Sequence, residues 1–521
     1  MNPSESSNIS LEQTLRQCFS LSGVEATEKA SLATSVLIIT SLRAAQCCSR
    51  CALRHLGCLN QELYACSLEE LDHALDLLCP PSQPVVVCTA CLGTLQYADD
   101  DALTIQPIIT RLESTPYETT NFSLTLTLPV SLLHRGRLLG LYIQDQLEHH
   151  HKNTTHLWSP AMVRDTKDPI RMLLIQRLAR SSGLLGDLES PFHINLCLGH
   201  PPTETEHLFL TKMKNPILQL RQVRKRGVTT TIGDSRQNIT EALKSLGLEE
   251  ARSLTSLPPS PQTEKASVIS VTLWHASALT GGRYNKFSRE CSQTPWVIKG
   301  KRLTDLSVSE CITHVFQRYH QCQDVKFVTA GREDANVRML GTGRPFYCEL
   351  MNPRRPLLSA EEYQLMEHEI NTASGDVVQV RQIQNISAAD TKLIKEGEES
   401  KRKSYQALVW FSQPLTQDIV DPCNKKGRQP FVAYQKTPIR VFQRRAAATR
   451  EKTIYRMTVE RVDNHYALVT MDTQAGTYIK EFVHSDLGRT QPNLASIAGV
   501  DATDLLDLDV VDVDLVWPPL I

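Results

Sequence analysis

Apolar residues recur along the chain at two different spacings, and the change between them organises it. Between residues 10 and 78 they return every three or four positions, as on one face of a helix. Leu11, Leu15, Cys18 and Phe19 form the first such stripe. Ser67 and Glu70 then make a capping-box pattern ahead of "LDHALDLL", since each side chain can satisfy a backbone N–H of the other. From residue 84 the texture is mixed. "PVVVCTACLG" (84–93) predicts a short strand running into a tight turn, and "FSLTLTL" (122–128) alternates with the period of a half-buried strand. "PIRMLLIQRLAR" (169–180) predicts a helix with proline at its first position, where a missing N–H costs nothing. "HINLCLG" (193–199) and "HLFLTKM" (207–213) predict strands, and "NITEALKSLG" (238–247) a helix closing on Gly247.

The pattern breaks at "SLTSLPPSPQTEKAS" (253–267), where Pro and Ser replace the periodic apolar positions. That composition predicts a linker or interdomain loop. Beyond it strands and helices alternate again. Val308, Ile312, Val315, Phe316 and Tyr319 share a helical face, 325–330 reads as a strand, 392–404 as a charged exposed stretch, and "YQALVW" from Tyr405 as a strand. No internal repeat is visible. The expected class is α/β (α+β), divided into a helical region at 1–103, a mixed region at 104–252, a linker or interdomain segment at 253–277 and a second domain at 278–521.

Composition narrows the setting. A formal charge of −1 over 521 residues excludes a globally basic polyanion binder but not a segregated basic patch. No run approaches the roughly 18 apolar residues of a membrane helix; the richest, 30–45, is interrupted by Ser and Thr and reaches Arg43. The first ten residues carry Glu5 and no basic segment, so no secretory signal is expected. Fifteen cysteines in such a chain suggest free thiols and metal ligands in a reducing compartment. Nucleus and/or cytoplasm is the expected location.

Four of those cysteines are patterned. Cys48-x-x-Cys51 and Cys88-x-x-Cys91 are two knuckles with 36 residues between them (52–87). A tetrahedral thiolate site needs two turns that each present a pair of sulfurs, and C-x-x-C supplies them. The bland alternative is buried free cysteine, and Cys47 is a rival ligand, though Cys48 keeps the better spacing. With all four positions filled by thiolates the metal is expected to be structural zinc.

A second puzzle sits in "AGREDANVRMLGTGRPF" (330–346). Asp334 comes just after a strand, yet Arg332, Arg338 and Arg344 surround it. Aspartate beside glycine is usually a turn residue. Here the arginines could hold phosphates, a "GTGRP" turn comes next, and "TPIRVFQRRAAATR" (437–450) adds more cations. A carboxylate kept ionised among cations is what an RNA-handling active site needs. The sequence has neither a phosphate-binding P-loop nor a "GxGxxG" fingerprint.

These residues resemble a known family. "GRED" after a strand is similar to the "GR-T/E-D" motif of tRNA pseudouridine synthases. With "GRYNKFSRECSQTPW" (282–296), "KRKSYQALVW", "QKTPIRVFQRR" and "TQAGTYIKEFVHSDLGRT" (473–490), the chain resembles the archaeal and eukaryotic Pus-ten family, which acts on uridines 54 and 55 of the tRNA TΨC arm. The resemblance implies an N-terminal zinc-binding, THUMP-like accessory domain and a C-terminal catalytic domain on a mixed, largely antiparallel sheet. It implies an isomerase in which Asp334 attacks or deprotonates at the sugar of a flipped uridine, Tyr405 stacks on the base, and Lys480 pairs with Asp334. Arg332, Arg344, Arg440, Arg444, Arg445 and Arg489 would contact RNA. Zinc, no organic cofactor, tRNA as partner, no membrane and a monomer complete the expectation. The rival reading is a non-catalytic zinc-containing RNA-binding adaptor that kept the fold.

Overall fold

The structure, a computed structural model, describes residues 14–15, 28–81, 83–150, 156–225 and 228–519. Of the first apolar stripe, Leu11, Cys18 and Phe19 lie outside the described residues. The chain forms two compact units, Met1–Trp274 and His275–Ile521.

The first unit surrounds a small, partly parallel sheet with helices. Helix α1 (Glu28–Ala44) precedes α2 (Ser49–His55) and α3 (Leu68–Asp76). Ser67 and Glu70 close a reciprocal capping box at the start of α3. Strand β1 (Asn121–Thr127) is followed by α4 (Ser131–His150), α5 (Lys167–Ser182), β2 (Leu185–Gly186) and β3 (Phe192–Gly199), then by α6 (Arg236–Ser245) and β4 (Ser267–His275). The sheet order is β2-β1-β3-β4, with β1 parallel to both neighbours. Phe122, Leu124 and Leu126 of β1 and Phe192, Ile194 and Leu196 of β3 are buried in one apolar core with Leu174 and Leu178. Period-two alternation therefore reads correctly here, because one face of each strand is covered.

Three expectations are corrected. Residues 207–213 are not a strand: Glu206–Lys212 is a 3-10 helix. Its buried positions, His207 and Leu210, are three apart, the repeat of that helix rather than of a strand. Residues 84–87 form no strand either. Gln96 Nε2 donates to Val85 O at 2.7 Å and Tyr97 Oη to Val86 O at 2.5 Å, so side chains satisfy carbonyls that a neighbouring strand would otherwise take. The stretch 253–277, expected as a linker or interdomain segment, contains the boundary between the units but is no free linker, since it belongs to the first unit as far as Trp274. Arg135 donates to Ser260 O at 3.1 Å, His200 Nε2 lies 2.8 Å from Glu264 O, and Ser267–His275 is β4.

The second unit is built on a ten-stranded sheet. Its elements run β5 (Ala278–Lys286), α7 (Val308–His320), β6 (Asp324–Thr329), β7 (Val337–Met351), α8 (Ala360–Ala373), β8 (Val378–Asn385), β9 (Lys403–Phe411), α9 (Gln417–Gly427), β10 (Phe431–Lys436), β11 (Thr449–Arg461), β12 (Tyr466–Thr473), α10 (Ile479–His484), β13 (Thr490–Gln491) and β14 (Thr503–Val513). The order is β8-β5-β7-β14-β9-β12-β11-β10-β13, with β6 pairing β7. Only β7 and β14 pair in parallel; the other pairings are antiparallel. Ile312 and Phe316 of α7 and Met366 and Ile370 of α8 share a core with Tyr284, Met339 and Phe346 of the strands. The sheet is thus mixed and largely antiparallel, covered by helices.

Candidate active site

Asp334 lies in the segment 330–336 that joins β6 to β7. Gly331 has φ +95°, and a Cβ on it would stand 2.9 Å from Arg344 Nη1 and 3.0 Å from Lys403 Nζ. Only glycine takes this turn without strain. Three side chains fix the rest of the loop. Glu333 turns inward, accepting from Tyr284 Oη at 2.8 Å and from Arg344 Nε at 2.7 Å. Lys286, fully buried, directs its ammonium at the backbone: Nζ donates to Ala335 O at 2.7 Å and Cys291 O at 2.9 Å, with Ser288 O at 3.3 Å and Asp334 O at 3.4 Å. Gln293 adds a bond from Nε2 to Gly331 O at 3.0 Å. With Glu333 anchored inside, the next side chain projects outward, and Asp334 is about half exposed, at 51%.

Lys480 reaches the same point from the far end of the sequence. In α10, Ile479, Phe482 and Val483 are buried, the i, i+3, i+4 face of a short amphipathic helix. Lys480 is left on the open side. Gln435, buried in β10, holds the helix start from both directions: Tyr478 N donates to its Oε1 at 2.9 Å and its Nε2 donates to Tyr478 O at 2.9 Å. Lys480 Nζ then lies 2.9 Å from Asp334 Oδ2 and 3.3 Å from Asn336 Oδ1. Arg440 Nη1 stands 3.6 Å from the same Asp334 oxygen, while its Nε is bonded to buried Glu481 at 2.7 Å. Burial would raise the Asp334 carboxyl pKa. The hydrogen bond and charge of Lys480, with the charges of Arg440 and Arg332, outweigh that and hold it below its ordinary value. The result is an accessible, ionised carboxylate oriented by cations.

The other expected site residues divide. Arg332, Arg444 and Arg445 are exposed, and Arg445 Nη1 donates to Tyr478 Oη at 3.4 Å. Arg489 is partly covered, donating from Nη2 to Thr437 O at 2.7 Å. Arg344 is a correction. It is 2% exposed and ion-paired with Glu333, itself 1% exposed, so it cannot reach a phosphate; the buried acid needs a buried cation. Tyr405, in β9, is partly buried against the core. Burial raises its hydroxyl pKa, with Arg344 opposing and Glu333 reinforcing. Among the described residues no hydrogen bond joins it to Asp334. Sequence pattern alone misses Glu333, Lys286 and Glu481. "GRED" and "GRYNK" contain the first two, but nothing in residue type says which charges are buried.

In the first unit, Cys48, Cys51, Cys88 and Cys91 are all buried, and their four sulfurs lie within 4.8 Å of one another. Cys47 is outside this set. Cys48 N donates to Cys88 Sγ at 3.2 Å. Although burial raises the Cys88 pKa, sulfur hydrogen bonds from Cys47, Cys48, Cys51 and Cys91 bring it well below the usual thiol value. Four buried, converging thiols fit a tetrahedral metal ion, whose sulfur ligands sit about 2.3 Å from the centre. The quartet could hold a metal ion, and with four protein ligands it leaves no open coordination position.

Comparisons with known proteins agree across both units. Residues 279–514 match the family "Pus10, C-terminal" and residues 88–272 "Eukaryotic Pus10, N-terminal". The Xenopus laevis protein named tRNA pseudouridine synthase Pus10 is 34% identical over 438 residues, 84% of this chain and 82% of that protein. The Homo sapiens protein of the same name is 33% identical over 434 residues, 83% and 79%. A crystal structure of a Cbf5-Nop10-Gar1 complex aligns at 14% identity and TM-score 0.25, covering 44% of this chain and 48% of that one; so low a score adds no weight. The carboxylate loop and the lysine that meets it fall inside the matched regions, as do two of the four clustered cysteines, and the chain belongs to the Pus10 family.

Proposed function

We propose that the centre around Asp334 isomerises uridine to pseudouridine in tRNA, at position 54 and/or 55 of the TΨC arm. The chain is an isomerase, and the observation that carries the assignment is the contact between Asp334 and Lys480, 146 positions apart. The reaction breaks the bond from ribose C1′ to uracil N1 and makes one from C1′ to C5; the proton on C5 is lost and N1 gains one. No redox change is involved. The base must first leave the stack to be reached. Asp334 supplies a carboxylate that attacks or deprotonates at the sugar. Lys480 and Arg440 keep it ionised and aimed, and the Lys286 and Glu333 anchors hold its loop. Tyr405 is assigned to stack on the extruded uracil, a role supported by its place in "KRKSYQALVW".

Arg332, Arg440, Arg444, Arg445 and Arg489 are assigned to the RNA backbone; exposure of the first four supports that assignment. The first unit is proposed to bind a distant part of the tRNA through a THUMP-like region at 104–252 and to carry zinc on Cys48, Cys51, Cys88 and Cys91. The protein is proposed to act as a monomer in the nucleus and/or cytoplasm. The test is incubation with an unmodified tRNA transcript followed by mapping of pseudouridine. Product at 54 or 55 that disappears with Asp334→Asn supports the reading; product retained by that variant overturns it.

A further inference from the structure

Between α10, which carries Lys480, and β13 the backbone takes an unusual path. Ser485, Asp486, Leu487 and Gly488 have φ of +65°, +51°, +57° and +78°. Three successive non-glycine residues in the left-handed region are strained and persist only where the surroundings impose them. The surroundings do so here. Thr490 N donates to Ser485 O at 3.1 Å, Arg489 N to Asp486 O at 3.2 Å and Gly488 N to Ser485 Oγ at 3.3 Å. The turn is also tied to the arginine-rich loop: Ile439 N donates to Asp486 Oδ2 at 3.3 Å, and the Arg489 guanidinium lies 5.7 Å from the Phe442 ring centre.

This held turn presents Leu487 at 88% exposure, with Ile439 at 53% and Phe442 at 51% on the loop to which it is tied. One exposed leucine is ordinary. Three apolar tips on two mutually bonded segments are not, when the residue after Ile439 is Arg440, whose other contact is Asp334. Arg444 and Arg445 lie further along the same loop. Apolar side chains set among arginines match the chemistry of a nucleic-acid backbone on either side of a base stack.

We propose that Leu487 is an insertion wedge that enters the RNA base stack beside the extruded uridine and keeps it from closing, with Phe442 supporting the neighbouring base. The inference rests on the synthase reading above. Its test compares wild type, Leu487→Ala and Leu487→Met on a tRNA transcript carrying 2-aminopurine next to the modified uridine. Wild type should raise 2-aminopurine fluorescence as the stack opens. Leu487→Ala should lose that rise and slow single-turnover pseudouridine formation by about tenfold or more, since opening a base step is costly. Its affinity for the transcript and its melting temperature should stay near wild type, and Leu487→Met, which restores bulk, should recover both signals. A wild-type rate and fluorescence rise in Leu487→Ala would overturn the wedge, as would a loss explained by weaker binding or a lower melting temperature. If wild type itself forms no pseudouridine, it is the synthase reading that fails.

Discussion

Glu333 and Asp334 are neighbouring carboxylates with opposite environments: Glu333 is 1% exposed and paired with Arg344 at 2.7 Å, whereas Asp334 is 51% exposed and paired with Lys480 at 2.9 Å. The inner acid fixes the loop, and the outer one is the carboxylate proposed to do the chemistry. The two should therefore fail differently. Asp334→Asn should abolish turnover with the melting temperature nearly unchanged, because half-exposed ion pairs contribute about 0–1 kcal/mol. Glu333→Gln should cost about 3–5 kcal/mol of stability, since it leaves Arg344 as an uncompensated buried charge. Denaturant unfolding alongside single-turnover rates separates the two; equal stability losses would contradict the division.

With Asp334 as the proposed catalytic carboxylate, its pairing with Lys480 should set the acid limit of activity. The Asp334 pKa is depressed in the folded protein, so the ionised form persists as pH falls below the usual carboxylate range and is lost only on passing the lowered folded value. Any stability from the pair has the same sign: present above the unfolded pKa, lost through the folded one. Lys480→Met removes the largest opposing influence and leaves only the charges of Arg440 and Arg332 against burial, so the carboxyl pKa should rise from its wild-type position. The acid limb of its rate–pH profile should move to higher pH, on top of a lower plateau. A profile whose acid limb does not move would show that Lys480 acts on something other than this charge.

Lys286 positions the loop without reaching the substrate side. Its ammonium is the donor for the carbonyls of Ala335 and Cys291, and methionine in its place would leave them unpaired in the interior at about 1–3 kcal/mol each. Lys286→Met should lower kcat more than it changes tRNA affinity, because Asp334 loses its aim while the exposed arginines keep their contacts. The check is kcat and Kd measured together at a temperature where the variant is folded. A change in Kd alone would assign Lys286 to RNA binding instead.

The legible parts of the sequence are those whose pattern is itself a geometry. Period-two alternation at 122–128 and three-four spacing at 308–319 show directly which face is covered, and both elements form as read. C-x-x-C spacing selects Cys48 over Cys47, because the spacing is that of the knuckle. Burial of charge has no such signature. Arg344 looks like its neighbours Arg332 and Arg338 on paper, and only the inward turn of Glu333 makes it structural. Residues 207–213 mislead for a related reason. Apolar residues at both odd and even positions suit a buried strand or a 3-10 turn, and the chain is already turning in 3-10 form through Pro201 and Pro202.

The zinc proposal predicts a defect confined to metal and stability. Cys88→Ser removes one of the four converging sulfurs and should drop the metal content of the purified protein from about one ion per chain to none, since four ligands are needed to close the site. Folding free energy supplied by the metal is lost with it, so thermal unfolding of the N-terminal unit should move to lower temperature, and a chelator should reproduce the shift in wild type. Mass spectrometry of the native protein reads the first effect and calorimetry the second. Unchanged metal content in the variant would remove Cys88 from the site.

The arginine-rich loop makes a prediction about salt rather than chemistry. Arg444 and Arg445 are exposed on 437–450 and, as backbone contacts, each would displace a condensed counterion from the RNA. The affinity of the protein for tRNA should therefore fall with rising salt, and Arg444→Ala/Arg445→Ala should both weaken binding at low salt and reduce the slope of log K against log salt by about 1.4–1.8 for the two contacts. The variant and wild-type curves should converge as salt rises, because the lost contribution is the one that salt suppresses. The rate of the bound complex should be nearly unaffected, since Arg440 and not these two residues reaches Asp334. Filter binding across a salt series measures the slope, and parallel curves for variant and wild type would place both arginines away from the phosphates.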